Sequence, residues 1–209
     1  STQGAAYDGT GAVYVSSGNT DAYIENSQIN QTEGRENNGV STKVSAENTY
    51  DNITVTGTVA GGKGNAVGGS IRVDWIDDNV DSYIKDSILD STGALEMTNN
   101  STVDVVAITA AGAVSTDENA FGGAIMLAVN STIQNNYIDN STIKASSVTL
   151  DSDSIYDATA VTGALALSIA IGGNGTTGGG SIYTAVADND INTYVKNSDV
   201  TSLNDINLT

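Results

Sequence analysis

The 209-residue chain has no cysteine, no histidine and no proline, and only one tryptophan and one phenylalanine. Without cysteine there is no disulfide, thiol nucleophile, iron–sulfur cluster or thiolate-bound zinc. Without histidine there is no imidazole base, catalytic triad or imidazole-bound metal. The absence of proline leaves every residue able to donate its backbone N–H, which long stacked ladders require. Basic side chains are scarce too: 7 Lys and Arg stand against 25 Asp and Glu, a formal net charge of −18. Scattered cations on so acidic a chain oppose binding to phosphate backbones, and the same charge repels an anionic membrane surface. No run reaches the roughly 20 apolar residues of a membrane helix; the longest, 158–171, is broken by Thr159, Thr162, Gly163 and Ser168. The sequence therefore predicts neither a nucleic-acid partner nor direct membrane insertion. Ser1-Thr2-Gln3-Gly4 carries neither the basic start nor the apolar run of a signal peptide.

What the chain does contain is rich in Gly, Asn, Ser and Thr, with apolar residues recurring in short alternating runs. β-branched residues, Gly and Asn disfavour helix, and sustained alternation argues against disorder. Four segments superpose without a gap: Tyr23-Ile24-Glu25-Asn26-Ser27-Gln28-Ile29, Tyr83-Ile84-Lys85-Asp86-Ser87-Ile88-Leu89, Tyr137-Ile138-Asp139-Asn140-Ser141-Thr142-Ile143 and Tyr194-Val195-Lys196-Asn197-Ser198-Asp199-Val200. A companion motif precedes each, beginning at Gly11, Gly69, Gly123 and Gly180, with eleven intervening residues before the first tyrosine and thirteen before the others. The tyrosines are 60, 54 and 57 residues apart, so the repeat is about 57 residues long.

This periodicity predicts an all-β chain folded as a parallel β-helix solenoid. It forms a single module over 1–209 with repeat units near 11–67, 68–121, 122–178 and 179–209. Dividing each repeat into roughly three coils gives about eleven coils and a rod on the order of 50 Å long; two coils of about 28 residues are the alternative. Asn26, Asp86, Asn140 and Asn197, each followed by Ser27, Ser87, Ser141 or Ser198, form a predicted turn ladder of polar residues at a stacked corner. The most regular strand, 161–171, places Val161, Leu165, Leu167, Ile169 and Ile171 on one face and only small residues on the other. That smooth face is either covered or a contact surface.

With Asp and Glu as the only abundant titratable groups, the remaining chemistry is carboxylate work or oxygen-ligated cations. Asp74, Asp77, Asp78 and Asp81 crowd one predicted turn region, and Asp188 and Asp190 occupy the matching place two repeats on. Calcium is the candidate cation, weighed against a merely solvated acidic loop; the spacing fits neither the EF-hand nor the glycine-rich calcium repeat. No resident cofactor is expected. Arg72 and Trp75 beside Asp74 and Asp77 form the one grouping with the ingredients of a sugar-cleaving site. One tryptophan supplies too little aromatic platform, and the chain reads as non-enzymatic. The glycine-rich stretches 61–69 and 172–180 lack a phosphate-loop ending and read as turns before a strand.

Phrases such as Val44-Ser45-Ala46-Glu47-Asn48-Thr49, Gly123-Ala124-Ile125-Met126-Leu127-Ala128-Val129-Asn130 and Tyr137-Ile138-Asp139-Asn140-Ser141 resemble the repeats of very large leukotoxin-like and filamentous-haemagglutinin-like exoproteins of Gram-negative bacteria. The resemblance covers nearly the whole chain in repeat style. It implies a right-handed coil, an extracellular or cell-surface location, and adhesion to a host-cell or matrix component, and it supplies no catalytic residues. Two roles follow as expectations. The chain is a structural and adhesive rod segment whose neighbouring repeats cap it, binding through Tyr23, Tyr83, Tyr137 and Tyr194; alternatively it is a filament subunit that joins copies of itself end to end by strand completion.

Overall fold

The computed structural model describes residues 4–29, 39–170 and 174–209, and none of them is helical. The strands in chain order are β1 (Ala6–Glu25), β2 (Gln28–Ile29), β3 (Thr42–Gly62), β4 (Ala66–Lys85), β5 (Ile88–Asp90), β6 (Leu95–Ser115), β7 (Ala120–Asp139), β8 (Thr142–Ala145), β9 (Val148–Ser168), β10 (Thr177–Lys196), β11 (Asp199–Ser202) and β12 (Ile206–Leu208). They build three four-stranded sheets, ordered β1-β4-β7-β10, β2-β5-β8-β11 and β3-β6-β9-β12, and all pairings are parallel. The chain is thus a parallel β-helix, as its repeats predict.

The coil is wider than expected. Tyr23 pairs with Tyr83, Tyr83 with Tyr137 and Tyr137 with Tyr194, so one repeat makes one turn. The threefold division of the repeat appears as three strands of a single turn, long, short and long, rather than as three turns. Short runs such as Gly180-Ser181-Ile182-Tyr183 and Tyr194-Val195 lie inside the one strand β10, because no proline or left-handed residue between them ends the extended backbone. Strands of 20 or 21 residues extend roughly 66 Å, whereas four stacked coils rise only about 19 Å. The chain forms a flat slab, not the long rod.

Constant strands and variable loops explain the uneven repeat spacing. Sheet register advances by 60 residues from β1 to β4 but by 53 from β3 to β6, so the extra length falls between β2 and β3. Residues 30–38 of that connection lie outside the described residues. From β7 to β10 the advance is 57, against 54 from β4 to β7, the difference falling in the connection between β9 and β10. The first companion motif is also two residues out of step: Gly9, not Gly11, pairs with Gly69.

The two long sheets face each other, and the short sheet closes one end of the slab. Next to that corner the interior holds large aliphatic side chains, among them Ile84, Leu89, Leu95, Met97, Ile138, Ile143 and Leu150. Toward the far end it narrows to Ala66, Ala113 and Ala120. There the sheets nearly touch: a Cβ on Gly68 would lie 2.1 Å from the Gly112 carbonyl oxygen, and one on Gly122 would lie 2.9 Å from that of Leu165. Only small residues fit between such close backbones. The small face of β9 is accordingly the inner one, and Val161, Leu165, Leu167 and Ile169 point to solvent, Leu165 being 70% exposed; Ile171 lies outside the described residues.

Candidate functional site

The corner between the first long strand and the short strand is the most regular part of the molecule. Asn26, Asp86, Asn140 and Asn197 adopt φ of 50°, 50°, 48° and 49°, the left-handed conformation that Asn and Asp tolerate better than other side chains. The following serines form a relay between coils. Ser87 Oγ donates to the Lys85 carbonyl (2.7 Å) and accepts from the Ser27 backbone N–H (3.1 Å). Ser141 Oγ repeats this with the Asp139 carbonyl and the Ser87 N–H, and Ser198 Oγ with the Lys196 carbonyl and the Ser141 N–H. Ser27 Oγ donates likewise to the Glu25 carbonyl. Ser87, Ser141 and Ser198 each satisfy a backbone donor that the bend removes from the sheet ladder. The Asn140 amide adds a bond to Asp86 (2.5 Å), and Asn197 one to Asp139 (3.2 Å). The predicted turn ladder is thereby a hydrogen-bonded structural device.

Three residues before the left-handed position, Tyr23, Tyr83, Tyr137 and Tyr194 stack on the outer face as a continuous column. Successive ring centroids are 5.1 Å apart, with interplanar angles of 8°, 7° and 4°. Coil repetition places the rings at nearly the strand spacing, and the rings lean slightly to stack. Desolvation by this packing, followed by neighbouring tyrosines and Asp81 and Asp139, pushes the Tyr137 phenol up to about 12. Desolvation, then nearby acidic groups, raises Tyr83 and Tyr194 as well. Beside the column runs an amide-and-carboxylate row in which Asp81 accepts from Asn79 (3.2 Å) and Asn135 (2.8 Å), and Asn192 donates to Asn135 (3.3 Å). The outer surface of this half of the slab thus offers an aromatic stripe bordered by hydrogen-bonding groups.

The acidic cluster is not a turn. Asp74, Asp77, Asp78 and Asp81 all lie within β4, and alternation sends Asp74 and Asp78 inward while Asp77 and Asp81 face out. Asp188 occupies the same outer column as Asp77, but Ser131 of β7 stands between them, and Asp190 belongs to the next column with Asn79 and Ile133. Among the described residues no group of three acidic side chains converges as a metal site. Asp78 accepts from Asn48 Nδ2 (2.9 Å), and desolvation raises its pKa against that bond. The grouping with sugar-site ingredients is divided in the same way. Arg72 and Asp74 form a buried ion pair, with both side chains 1% exposed and Arg72 Nη2 2.8 Å from Asp74 Oδ2, while Trp75 and Asp77 sit on the opposite surface.

Two features escape sequence reasoning. The glycines that read as turns lie partly within strands: Gly61 and Gly62 in β3, Gly68 and Gly69 in β4, and Gly178, Gly179 and Gly180 in β10; Gly172 and Gly173 lie outside the described residues. The second feature is a polar interior. Asn99 donates to the Val80 and Asn135 carbonyls, and Asn136 to those of Met97 and Asp151, tying the two long sheets together. The only signal for it is Asn in the inward phase of an alternating strand, which the surrounding polar residues conceal. Comparison with protein-family models, with curated proteins and with solved structures finds no match to the chain.

Proposed function

We propose that the chain is a non-enzymatic structural and adhesive segment of a bacterial surface or secreted exoprotein, a rigid β-helical slab that presents its tyrosine column to a host-cell or matrix component. The observation that carries this reading is the column itself. Four outward-facing aromatic rings in register at 5.1 Å spacing, Tyr23 and Tyr194 exposed and Tyr83 and Tyr137 half-buried between them, form a rigid stripe whose ordering cost is met by the fold before any partner arrives. The repeat phrasing that resembles large bacterial exoproteins supports the location. Replacing Tyr83 and Tyr137 with leucine keeps apolar bulk in the column and removes the rings. Adherence of the purified chain to cells or matrix should then fall at least tenfold with the fold retained by circular dichroism. Unchanged adherence by a folded variant refutes the tyrosine stripe as the contact.

The second reading, a subunit of an extracellular filament, is favoured by a different observation. Among the described residues β1 and β3 at one end of the stack, and β10 at the other, each pair on one side only. An open parallel ladder of 20 residues is a template for the next coil. Proline substitutions on the open side of β10 should abolish end-to-end growth seen by negative-stain microscopy, and growth that survives them removes this reading.

A further inference from the structure

The half of the slab remote from the serine corner has an apolar outer surface. On the sheet β1-β4-β7-β10 that surface includes Ile71, Trp75, Phe121, Ile125, Ile182 and Val186, all at least 43% exposed. Five outward columns, from Tyr7 to Val15 in β1 and at the paired positions of the other strands, carry no charged side chain. One of these columns is glycine in every coil: Gly9, Gly69, Gly123 and Gly180. The molecule's own fold does not require it. None of the four has a positive φ, and a Cβ would meet nothing within 4 Å at Gly69 and Gly180 and only a carbonyl at 3.9 Å at Gly9 and Gly123. Their inner neighbours differ, since Gly68 and Gly122 are held by the facing backbone. Glycine inside a strand weakens it, and otherwise marks a place where another chain approaches closely.

We propose that this face is a self-association surface on which a second copy of the chain packs in the reversed direction. Gly11, Ile71, Ile125 and Ile182 form the column beside the glycines, three isoleucines making a ridge next to a groove. A two-fold axis running along the stack between these columns sets the ridge of each copy into the groove of the other. Charge selects this arrangement. The other half of the same face carries Asp21, Glu25, Asp77, Asp81, Asp139, Asp188 and Asp190 against Lys85 and Lys196, so a copy packed in the same direction would lay one net-negative half on another, whereas the reversed copy directs these halves apart. Four strands and four columns cover roughly 500 Å² in projection before side-chain relief is counted. That is the low end of specific interfaces, which bury about 800 Å² per partner, and it predicts a concentration-dependent dimer. The inference concerns the faces and is independent of the tyrosine stripe and of the open strand edges.

The test is sedimentation velocity of the full chain over a wide concentration range, at low and high salt. The Gly69→Val/Gly123→Val variant fills the groove, its two Cβ atoms meeting nothing of the molecule closer than the Gly180 carbonyl oxygen at 3.9 Å, and Val55→Asp marks the opposite sheet as a control. Wild type and Val55→Asp should dimerise. The glycine variant should retain its melting temperature or exceed it while the dimer dissociation constant rises at least tenfold. Association of the glycine variant equal to wild type overturns the proposal. So does dissociation by Val55→Asp alone, or a wild type that stays monomeric yet floats with neutral phosphatidylcholine vesicles, which assigns the face to lipid. Retained adherence with lost dimerisation, or the reverse, separates this inference from the adhesive reading.

Discussion

At the residue scale the corner tolerates few replacements. Asn140 holds a left-handed backbone, which costs most other L-residues about 1–2 kcal/mol, so Asn140→Ala should destabilise by that amount while Asn140→Gly should be nearly neutral in urea titration. Ser141→Ala leaves the buried Ser87 N–H without its acceptor, a loss of about 1–3 kcal/mol. The tyrosine column makes stability fall at alkaline pH. The phenols of Tyr83, Tyr137 and Tyr194 are raised in the folded state, Tyr137 to about 12. Their contribution is therefore complete below the unfolded value of about 10 and is lost as pH climbs through the folded values. Melting temperatures measured from pH 8 to 12 should decline above about 10, and a Tyr83→Leu/Tyr137→Leu variant should show a shallower decline. An identical slope in both proteins would mean that the column is not the titrating element.

At the element scale the governing fact is how close the long sheets come. Arg72 and Asp74 share the inner face of β4, and removing one partner of such a buried pair costs about 3–5 kcal/mol. Asp74→Ala should lower the urea midpoint accordingly, and Arg72→Met/Asp74→Leu should recover much of the loss. Recovery is what separates a buried charge from lost packing; a double variant as unstable as the single contradicts it. The sequence makes the parallel β-helix and the Asn/Asp-Ser corner legible, because Tyr-Ile/Val-x-Asn/Asp-Ser recurs with both an aromatic and a polar marker. It leaves the coil width illegible, since a strand of 20 residues and two shorter strands joined by Gly or Asn read alike. The acidic cluster is misread for the same reason. Asp74 through Asp81 look like a loop by composition, yet they alternate between a buried and an exposed face of one strand.

At the scale of the whole molecule, narrowing of the interior inverts the usual distribution of side chains. Where the backbones are closest the inside takes Ala, Gly, Ser and Thr, and the larger aliphatics of β3 and β9 are turned outward, Ile53 being 80% exposed. This is the part of the alternating pattern that hydrophobicity alone assigns to the wrong face, because which face is inner depends on the separation between sheets that no local sequence encodes. The outer surface of the sheet β1-β4-β7-β10 is divided by position: a hydrogen-bonded, acidic, aromatic half beside the corner and five uncharged columns toward the other end.

The claim on which the whole account rests is that one repeat makes one turn, and a paired-cysteine experiment tests it most directly because the chain has no cysteine of its own. Asp77 and Ser131 face outward on neighbouring strands and are partners in register, 54 residues apart in sequence. Adjacent strands lie about 4.8 Å apart, within the Cα separation of about 4.4–6.8 Å that a disulfide spans. Mild oxidation of an Asp77→Cys/Ser131→Cys variant should yield an intrachain disulfide, identified by peptide mapping, with the native circular dichroism retained. If each repeat made three turns, the two positions would be about 14 Å apart, and both thiols remaining free in the folded variant would contradict the account.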